Sequence, residues 1–299
     1  MELHAAVVGA GPAGLAAALT FGRMRRRVLV LDTGEPRNRY TGHLHNFPTR
    51  DGVSPLEYRS LARDELRRYP TVELRDVRVV GTQAGDDGIR LALEDDEQVE
   101  VRRVVLAGGI RDTLPPIDGL AGLFGTSIFT CPYCDGYEAA GKPVGLICTA
   151  AGQAAHGAGL LRMLADDVTV FANGVGLDDE ERAGADRLGV RVVEERIVCV
   201  REDGARVVVL LEGDGEARCD RLFVPTEVHA SNRLAEQLGC ATNADGFIEV
   251  DELGRTSVAR VYAAGDACSP VHQVLVAAAS GTRAALAANH DAIASFELA

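Results

Sequence analysis

Six residues near the amino terminus, Gly9-Ala10-Gly11-Pro12-Ala13-Gly14, constrain the fold of this chain more than any others. They follow the apolar run Ala5-Ala6-Val7-Val8, which reads as a buried strand. An alanine-rich helical stretch then reaches about Gly22, and Val28 to Leu31 reads as the next strand, ending in Asp32. Gly9 permits the tight turn, Gly11 lets the backbone approach a pyrophosphate, and Gly14 allows close helix–strand packing. The helix start, with Pro12 and Ala13 in its first turn, supplies free N–H groups and a positive dipole end. Asp32 is placed to accept hydrogen bonds from a ribose, and its charge disfavours a 2′-phosphate. Strand, turn, helix, strand and acid together predict a dinucleotide cradle that suits FAD or NAD.

A second feature carries redox chemistry. Cys131-Pro132-Tyr133-Cys134 is followed at once by Asp135 and Gly136. Two thiols separated by two residues can close into a reversible disulfide, and a helix start lowers the pKa of one of them. An acid directly after the pair can shuttle the proton that thiol–disulfide exchange requires. The competing reading is half of a zinc site. Cys148, Cys199, Cys219, Cys240 and Cys268 are scattered singly, so nothing completes four ligands, and no metal is expected.

With 299 residues the chain is long enough for two domains, and 46% hydrophobic with 25% charged residues is a globular composition. A net charge of −13 argues against nucleic acid or an anionic membrane as partner. No apolar run approaches a membrane span. The apolar start runs straight into a glycine turn without a basic leader, so it reads as a strand, not a signal peptide, and a cytoplasmic location is expected.

Further along, Ser54-Pro55-Leu56-Glu57 has the pattern of a capping box and opens a helix. Val72–Val80, Ile89–Leu93 and Val99–Leu106 read as strands of an inserted meander. Asn46-Phe47-Pro48 lies in a turn-rich loop. Near the far end, Val261-Tyr262-Ala263-Ala264-Gly265-Asp266 reads as a strand ending in small residues and an acid, suited to a second contact with a long ligand.

Taken with the first cradle and the Cys pair, this pattern resembles the flavin-dependent pyridine nucleotide–disulfide oxidoreductases, and within them the low-molecular-weight thioredoxin reductases, over nearly the whole chain. The resemblance implies an α/β fold of two Rossmann-like three-layer domains. The FAD domain would be built from both chain ends, 1–112 and 229–299, with the Cys-pair domain, 113–228, inserted. It implies FAD against Gly9, Gly11, Pro12, Ala13, Gly14 and Asp32, with Asn46, Ala107, Gly108, Gly265, Asp266 and Gln273 close to it, and His272 as a residue tuning it. Cys134 would face the flavin, Cys131 would attack the substrate, and Asp135 would be the acid/base. Homodimers are implied too, as is a thioredoxin-like protein or a small dithiol or disulfide as substrate.

The central region departs from the family. Val144 to Cys148, Gln153 to Ala165 and Val168 to Phe171 read as strand, helix and strand, yet the first turn is Cys148-Thr149-Ala150-Ala151-Gly152 and lacks the glycine triplet. Where the family carries cations for a 2′-phosphate, the chain has Ala172-Asn173-Gly174 and then the acidic run Asp178 to Glu181, which is expected to repel NADPH. A ferredoxin or flavodoxin-type donor is one replacement. Oxygen is another, as in the dithiol oxidases of gliotoxin- and holomycin-type metabolites, which Glu35 to Arg39, His43, His45 and Arg50-Asp51-Gly52 resemble. Against that group, Asp135 stands where those oxidases tend to carry histidine. A flavin-bound redox sensor without turnover is the reading from another class, and Asp135 argues against it, because a switch needs no acid/base. The tail, Ser295 to Ala299, ends in an apolar group that could cover the flavin's nicotinamide face, although a frayed terminus is the usual case for such an end.

Overall fold

The computed structural model describes residues 3–85 and 87–297. The chain forms two compact units. One comprises Met1–Arg39, Asn46–Arg111 and Val228–Ala299, and the other Tyr40–His45 and Asp112–Glu227.

The first unit begins with β1 (Leu3–Val8), α1 (Pro12–Arg23) and β2 (Val28–Asp32). It continues through α2 (Pro55–Leu66), β3 (Val72–Asp76), β4 (Val79–Ala84), β5 (Ile89–Leu93) and β6 (Gln98–Leu106). The sheet order is β3-β2-β1-β6-β5-β4. Parallel pairing runs from β3 to β6, while β4 and β5 add an antiparallel hairpin. The expected strand Val72–Val80 is therefore two strands. Its first half extends the parallel sheet beside β2, and its second half turns at Val77-Arg78 to the opposite edge. The two halves have similar β propensity, so only their separate partners divide them.

As predicted, Pro55 opens α2 behind a Ser54 cap, whose Oγ accepts the Glu57 N–H at 3.0 Å. The chain leaves this unit through β7 (Ile110–Thr113).

The second unit contains α3 (Leu120–Leu123), β8 (Ile128–Phe129), α4 (Pro132–Asp135), β9 (Val144–Ile147), α5 (Ala154–Arg162) and β10 (Val168–Phe171). After them come α6 (Asp179–Leu188), β11 (Arg191–Val193), β12 (Ile197–Asp203), β13 (Arg206–Leu211), β14 (Glu216–Cys219) and β15 (Arg221–Phe223). A parallel sheet of order β11-β10-β9-β15-β8 forms its centre. Side chains alternate across it. Val144, Leu146 and Val170 pack with α5 and α6 residues such as Ala158, Leu161 and Ala185, whereas Ile147, Phe171 and Leu222 pack against the antiparallel β12–β14. That gives three layers, helix, sheet and sheet, with two buried cores.

The chain returns through β16 (Glu227–Ala230), which pairs with β7, and completes the first unit with α7 (Arg233–Gln237), β17 (Val261–Ala263) and α8 (Val274–Ala294). The carboxyl-terminal half of β6 pairs with β17, on the edge whose earlier half carries β5. Helix α8 lies against α1 through small residues, among them Ala13, Ala17, Ala284 and Ala288. A Cβ on Gly281 would overlap the Ala13 carbonyl oxygen.

The described part of the tail, as far as Glu297, is anchored to β6. Buried Arg103, on β6, places Nη2 2.7 Å from Glu297 Oε2, and Arg260 pairs with the same carboxylate at 2.7 Å. Arg103 sits three residues before the carboxyl end of β6, and the Gly9 turn follows the matching end of β1. A buried guanidinium requires an anion, and that demand holds the tail below the strand ends where a dinucleotide turn lies. Leu298 and Ala299 lie outside the described residues.

No helix among the described residues is long and apolar enough to cross a membrane.

Gly281→Ala should destabilise the first unit by about 1–3 kcal/mol, because the α1–α8 contact has no room for a methyl group. Gly159→Ala, whose Cβ would meet Leu188 at an ordinary 3.9 Å, should be neutral or stabilising. Thermal unfolding followed by circular dichroism compares them, and equal midpoints would remove the close-packing explanation.

Candidate functional site

In the first unit the turn after β1 has the form the glycines require. Gly9 adopts φ +101°, and a Cβ there would overlap the carbonyl oxygen of Ala107. A Cβ on Gly14 would overlap the Gly9 carbonyl oxygen, so strand and helix meet at this residue. Around Gly11 the situation is opposite, because a Cβ there would find nothing within 4 Å. Its face is open, as backbone approach of a pyrophosphate demands. Pro12 takes the first helical position and Ala13 is buried behind it. The residues present therefore fit the diphosphate of an adenine dinucleotide.

Asp32 is buried at the end of β2. Its Oδ1 accepts the Ala10 N–H at 2.9 Å, and its Oδ2 accepts the Gly34 N–H at 3.2 Å. Arg59 forms an ion pair with it, and Arg63 stands 3.6 Å away while holding Asp76 at 2.8 Å. The sequence reading missed these two arginines. Their i,i+4 spacing on α2 was the available signal, but helical spacing does not say which strand end the face meets.

The other residues expected near the dinucleotide are placed as follows. Ala107 is buried and continues β6, its N–H donating to Val8 O at 2.8 Å. Gly108 follows, with Ser231 against it. Gly265 takes φ +76° and donates its N–H to Ser280 Oγ at 2.8 Å. Asp266 stands 3.5 Å from Arg37, which links the segment after β2 to the one after β17. Gln273 heads α8, and His272 lies against Phe247 with ring centroids 6.2 Å apart. Asn46 is exposed at φ +62° in a loop tied by its N–H to Asp51.

In the second unit, Cys131 is the N-cap of α4, and the N–H groups of Cys134 and Asp135 both donate to its carbonyl oxygen at 3.1 Å. This single turn brings the two Sγ atoms to 2.6 Å. Gly136 is required by packing, since a Cβ would overlap the Pro132 carbonyl oxygen and crowd Leu164.

The Cys131 thiol is lowered to about 7, chiefly by its hydrogen bond with Cys134, against the opposing effect of burial. Burial drives other thiols the opposite way, Cys148 and Cys268 to about 11 and Cys219 to about 12. Cys131 is thus a thiolate-forming group at neutral pH, while Cys148 is a small buried residue at a strand end.

Asp135 is raised to about 6, first by burial and then by Glu138, with His45 and Arg221 pulling it down. His45 Nε2 lies 3.5 Å from Glu138 Oε1, and Arg221 lies over the Phe129 ring at 5.6 Å. Sequence reading did not connect His45, Glu138 and Arg221, because three distant segments supply them. Among the described residues no group of three or more His, Cys, Asp or Glu could hold a metal ion.

The acidic run forms the start of α6. Asp178 caps α6, and Asp179 and Glu180 fill its exposed first turn, where the helix dipole favours them. Glu181 is buried and points to the β9–α5 turn, where its Oε1 accepts the Gly152 N–H at 2.7 Å.

Residues 3–281 match the family model described as pyridine nucleotide-disulphide oxidoreductase. The thioredoxin reductase sirT of Leptosphaeria maculans is 32% identical over 97% of this chain and 94% of its own. Among solved structures, HlmI superposes with a TM-score of 0.93 at 35% identity, covering 98% of this chain and 93% of its own. The putative thioredoxin reductase TrxB from Bacillus anthracis gives 0.93 at 30% identity, covering 98% and 99%.

An Asp135→Asn substitution tests the electrostatics. A carboxyl raised from 3.8 to about 6 costs folding nothing below pH 4 and a growing amount as pH rises to 6, because the unfolded chain ionises first. The variant should therefore match wild type in denaturation midpoint near pH 4 and exceed it above pH 6. A gap independent of pH would contradict the raised, half-buried carboxyl.

Proposed function

Because this chain belongs to the pyridine nucleotide–disulphide oxidoreductase family, whose thioredoxin reductase-like members are FAD-binding flavoenzymes, we propose that it turns over disulfides through Cys131 and Cys134 with an electron partner other than NADPH. The observation that carries the reading is the single helical turn that brings the Cys131 and Cys134 sulfurs together with the half-buried Asp135 carboxyl directly after them.

The Cys131 thiolate attacks one sulfur of a substrate disulfide. That S–S bond breaks, a mixed disulfide forms, and the leaving thiolate takes a proton from Asp135. Cys134, its Sγ 2.6 Å from that of Cys131, then gives its proton to the Asp135 carboxylate and attacks Cys131 Sγ, and that proton passes on to the departing second substrate sulfur. The second substrate thiol departs, and the pair is left as a disulfide. Two electrons have passed from the pair to the substrate. Bound FAD supplies the two-electron exchange that restores the pair. Gly9 to Gly14 and Asp32 would hold its adenine dinucleotide half, with Asn46, Ala107, Gly108, Gly265, Asp266, His272 and Gln273 toward the remainder.

The donor assignment is supported by the central unit. Its βα turn has Cys148, Ala150 and Gln153 at the three places where a nucleotide-binding turn carries glycine, and Ala172-Asn173-Gly174 follows β10 in place of a group of cations. A ferredoxin- or flavodoxin-type protein fits the requirement for a donor. The substrate is a thioredoxin-like protein or a small disulfide, and the enzyme is assigned to the cytoplasm as a homodimer, with 1–112 and 229–299 as its flavin domain and 113–228 as its Cys-pair domain.

A second reading runs the relay backwards, with a dithiol oxidised to a disulfide and oxygen reduced to hydrogen peroxide. It is favoured by His45, from the segment that resembles the dithiol oxidases, standing beside Glu138 and acting on the charge of Asp135.

Anaerobic mixing with NADPH, NADH and a small dithiol, following flavin absorbance, separates these readings. The dithiol should bleach the flavin and NADPH should not. Peroxide on re-aeration, in step with dithiol consumed, selects the oxidase. Rapid bleaching by micromolar NADPH would refute the donor assignment. Cys134→Ser should retain FAD and lose disulfide turnover by at least about a thousandfold, as for other groups that act as a unit. Full activity in that variant would eliminate the two-thiol relay.

A further inference from the structure

We infer that Glu181 and Gln153 are built-in occupants of the second dinucleotide cradle, and that Glu181 sets specificity by excluding a pyridine nucleotide from the central unit. This rests on the reading that NADPH is not the donor, and assigns the exclusion to particular atoms.

The turn between β9 and α5 offers the backbone N–H groups of Thr149, Ala150, Gly152 and Ala154. In a nucleotide-binding unit such groups converge on phosphate oxygens. Here each has an acceptor from the chain itself. Glu181 Oε1 takes the N–H of Gly152 at 2.7 Å and of Ala154 at 3.3 Å. Gln153 Oε1 takes the N–H of Thr149 at 2.8 Å and of Ala150 at 3.2 Å. The Glu181 side chain thus lies where the positive end of α5 would meet an anion.

Its position is held from behind. Glu181 N–H donates to Asp178 Oδ1 at 2.8 Å, and Glu181 Oε2 accepts the Asp178 N–H at 3.3 Å, completing the capping box of α6. One carboxylate therefore serves two helix starts. Close approach of α6 to α5 makes this reach feasible, since a Cβ on Gly184 would fall 2.8 Å from that of Ala155. With 6% exposure, Glu181 is withdrawn from water, unlike Asp179 and Glu180 on the same turn. An incoming pyrophosphate would have to displace a hydrogen-bonded buried carboxylate and take the same donors. Exclusion here comes from occupancy of the donors as well as from charge.

Calorimetry on the FAD-loaded enzyme tests this, with inorganic pyrophosphate and NADPH as probes. Wild type should bind neither at micromolar concentrations. Glu181→Ala should bind pyrophosphate at least about tenfold more tightly than wild type, equivalent to about 1.4 kcal/mol. The double variant Gln153→Ala/Glu181→Ala should bind more tightly still. Glu181→Gln keeps the bulk and an acceptor and should gain less than Glu181→Ala. Should Glu181→Ala not fold, as judged by circular dichroism, Gln153→Ala alone should show a smaller gain through the released Thr149 and Ala150 N–H groups. Folded variants that gain nothing, while wild type still refuses NADPH, would overturn the built-in occupant and leave the donor assignment standing. Micromolar NADPH binding by wild type would overturn both.

Discussion

The N–H groups at the start of a helix must find acceptors, and where that helix follows a parallel strand they all face the same small volume. Both units of this protein are organised around that demand, and they meet it in opposite ways. After β1, the turn keeps glycine where its backbone meets Ala107 and α1, Asp32 holds the Ala10 N–H, and the face of Gly11 stays open. After β9, two side chains of the chain itself take the donors. The same strand–turn–helix device is thus a ligand cradle in one unit and a self-satisfied joint in the other.

A related economy governs the thiols. Burial alone drives a cysteine toward the inert protonated form, as at Cys148, Cys219 and Cys268. Cys131 is half-buried as well, yet the hydrogen bond across one helical turn from Cys134 outweighs desolvation. Burial works in the opposite sense at Asp135, where holding a proton to about pH 6 is what an acid beside a thiolate requires. Adjacent groups are thus shifted by different causes, a hydrogen bond at Cys131 and burial at Asp135.

Much of this was legible along the chain. The glycine turn, the Ser54 cap, the Cys pair with its acid and the strand ending at Gly265-Asp266 are local patterns whose physical reasons act within a few residues. What was not legible shares a cause. Val72–Val80 divides because its halves have different strand partners. The tail follows Arg103, a cation buried in β6, and nothing near Ser295 announces it. The acidic run is also a helix start with one inward residue, and the sequence did not show which of its carboxylates turns inward.

Taken alone, the order of residues determined that this chain makes two strand–turn–helix units, shapes the first turn to fit a dinucleotide, and carries two thiols one turn apart with a carboxyl beside them. These follow from backbone freedom at glycine, helix-end polarity and short-range proton chemistry, which act between near neighbours. Tertiary structure decided which charges face those groups: Arg59 and Arg63 on Asp32, His45 and Glu138 around Asp135, and Glu181 on the start of α5. Electrostatic interaction depends on distance and on exclusion of water, and both are set only when segments far apart in the chain pack together.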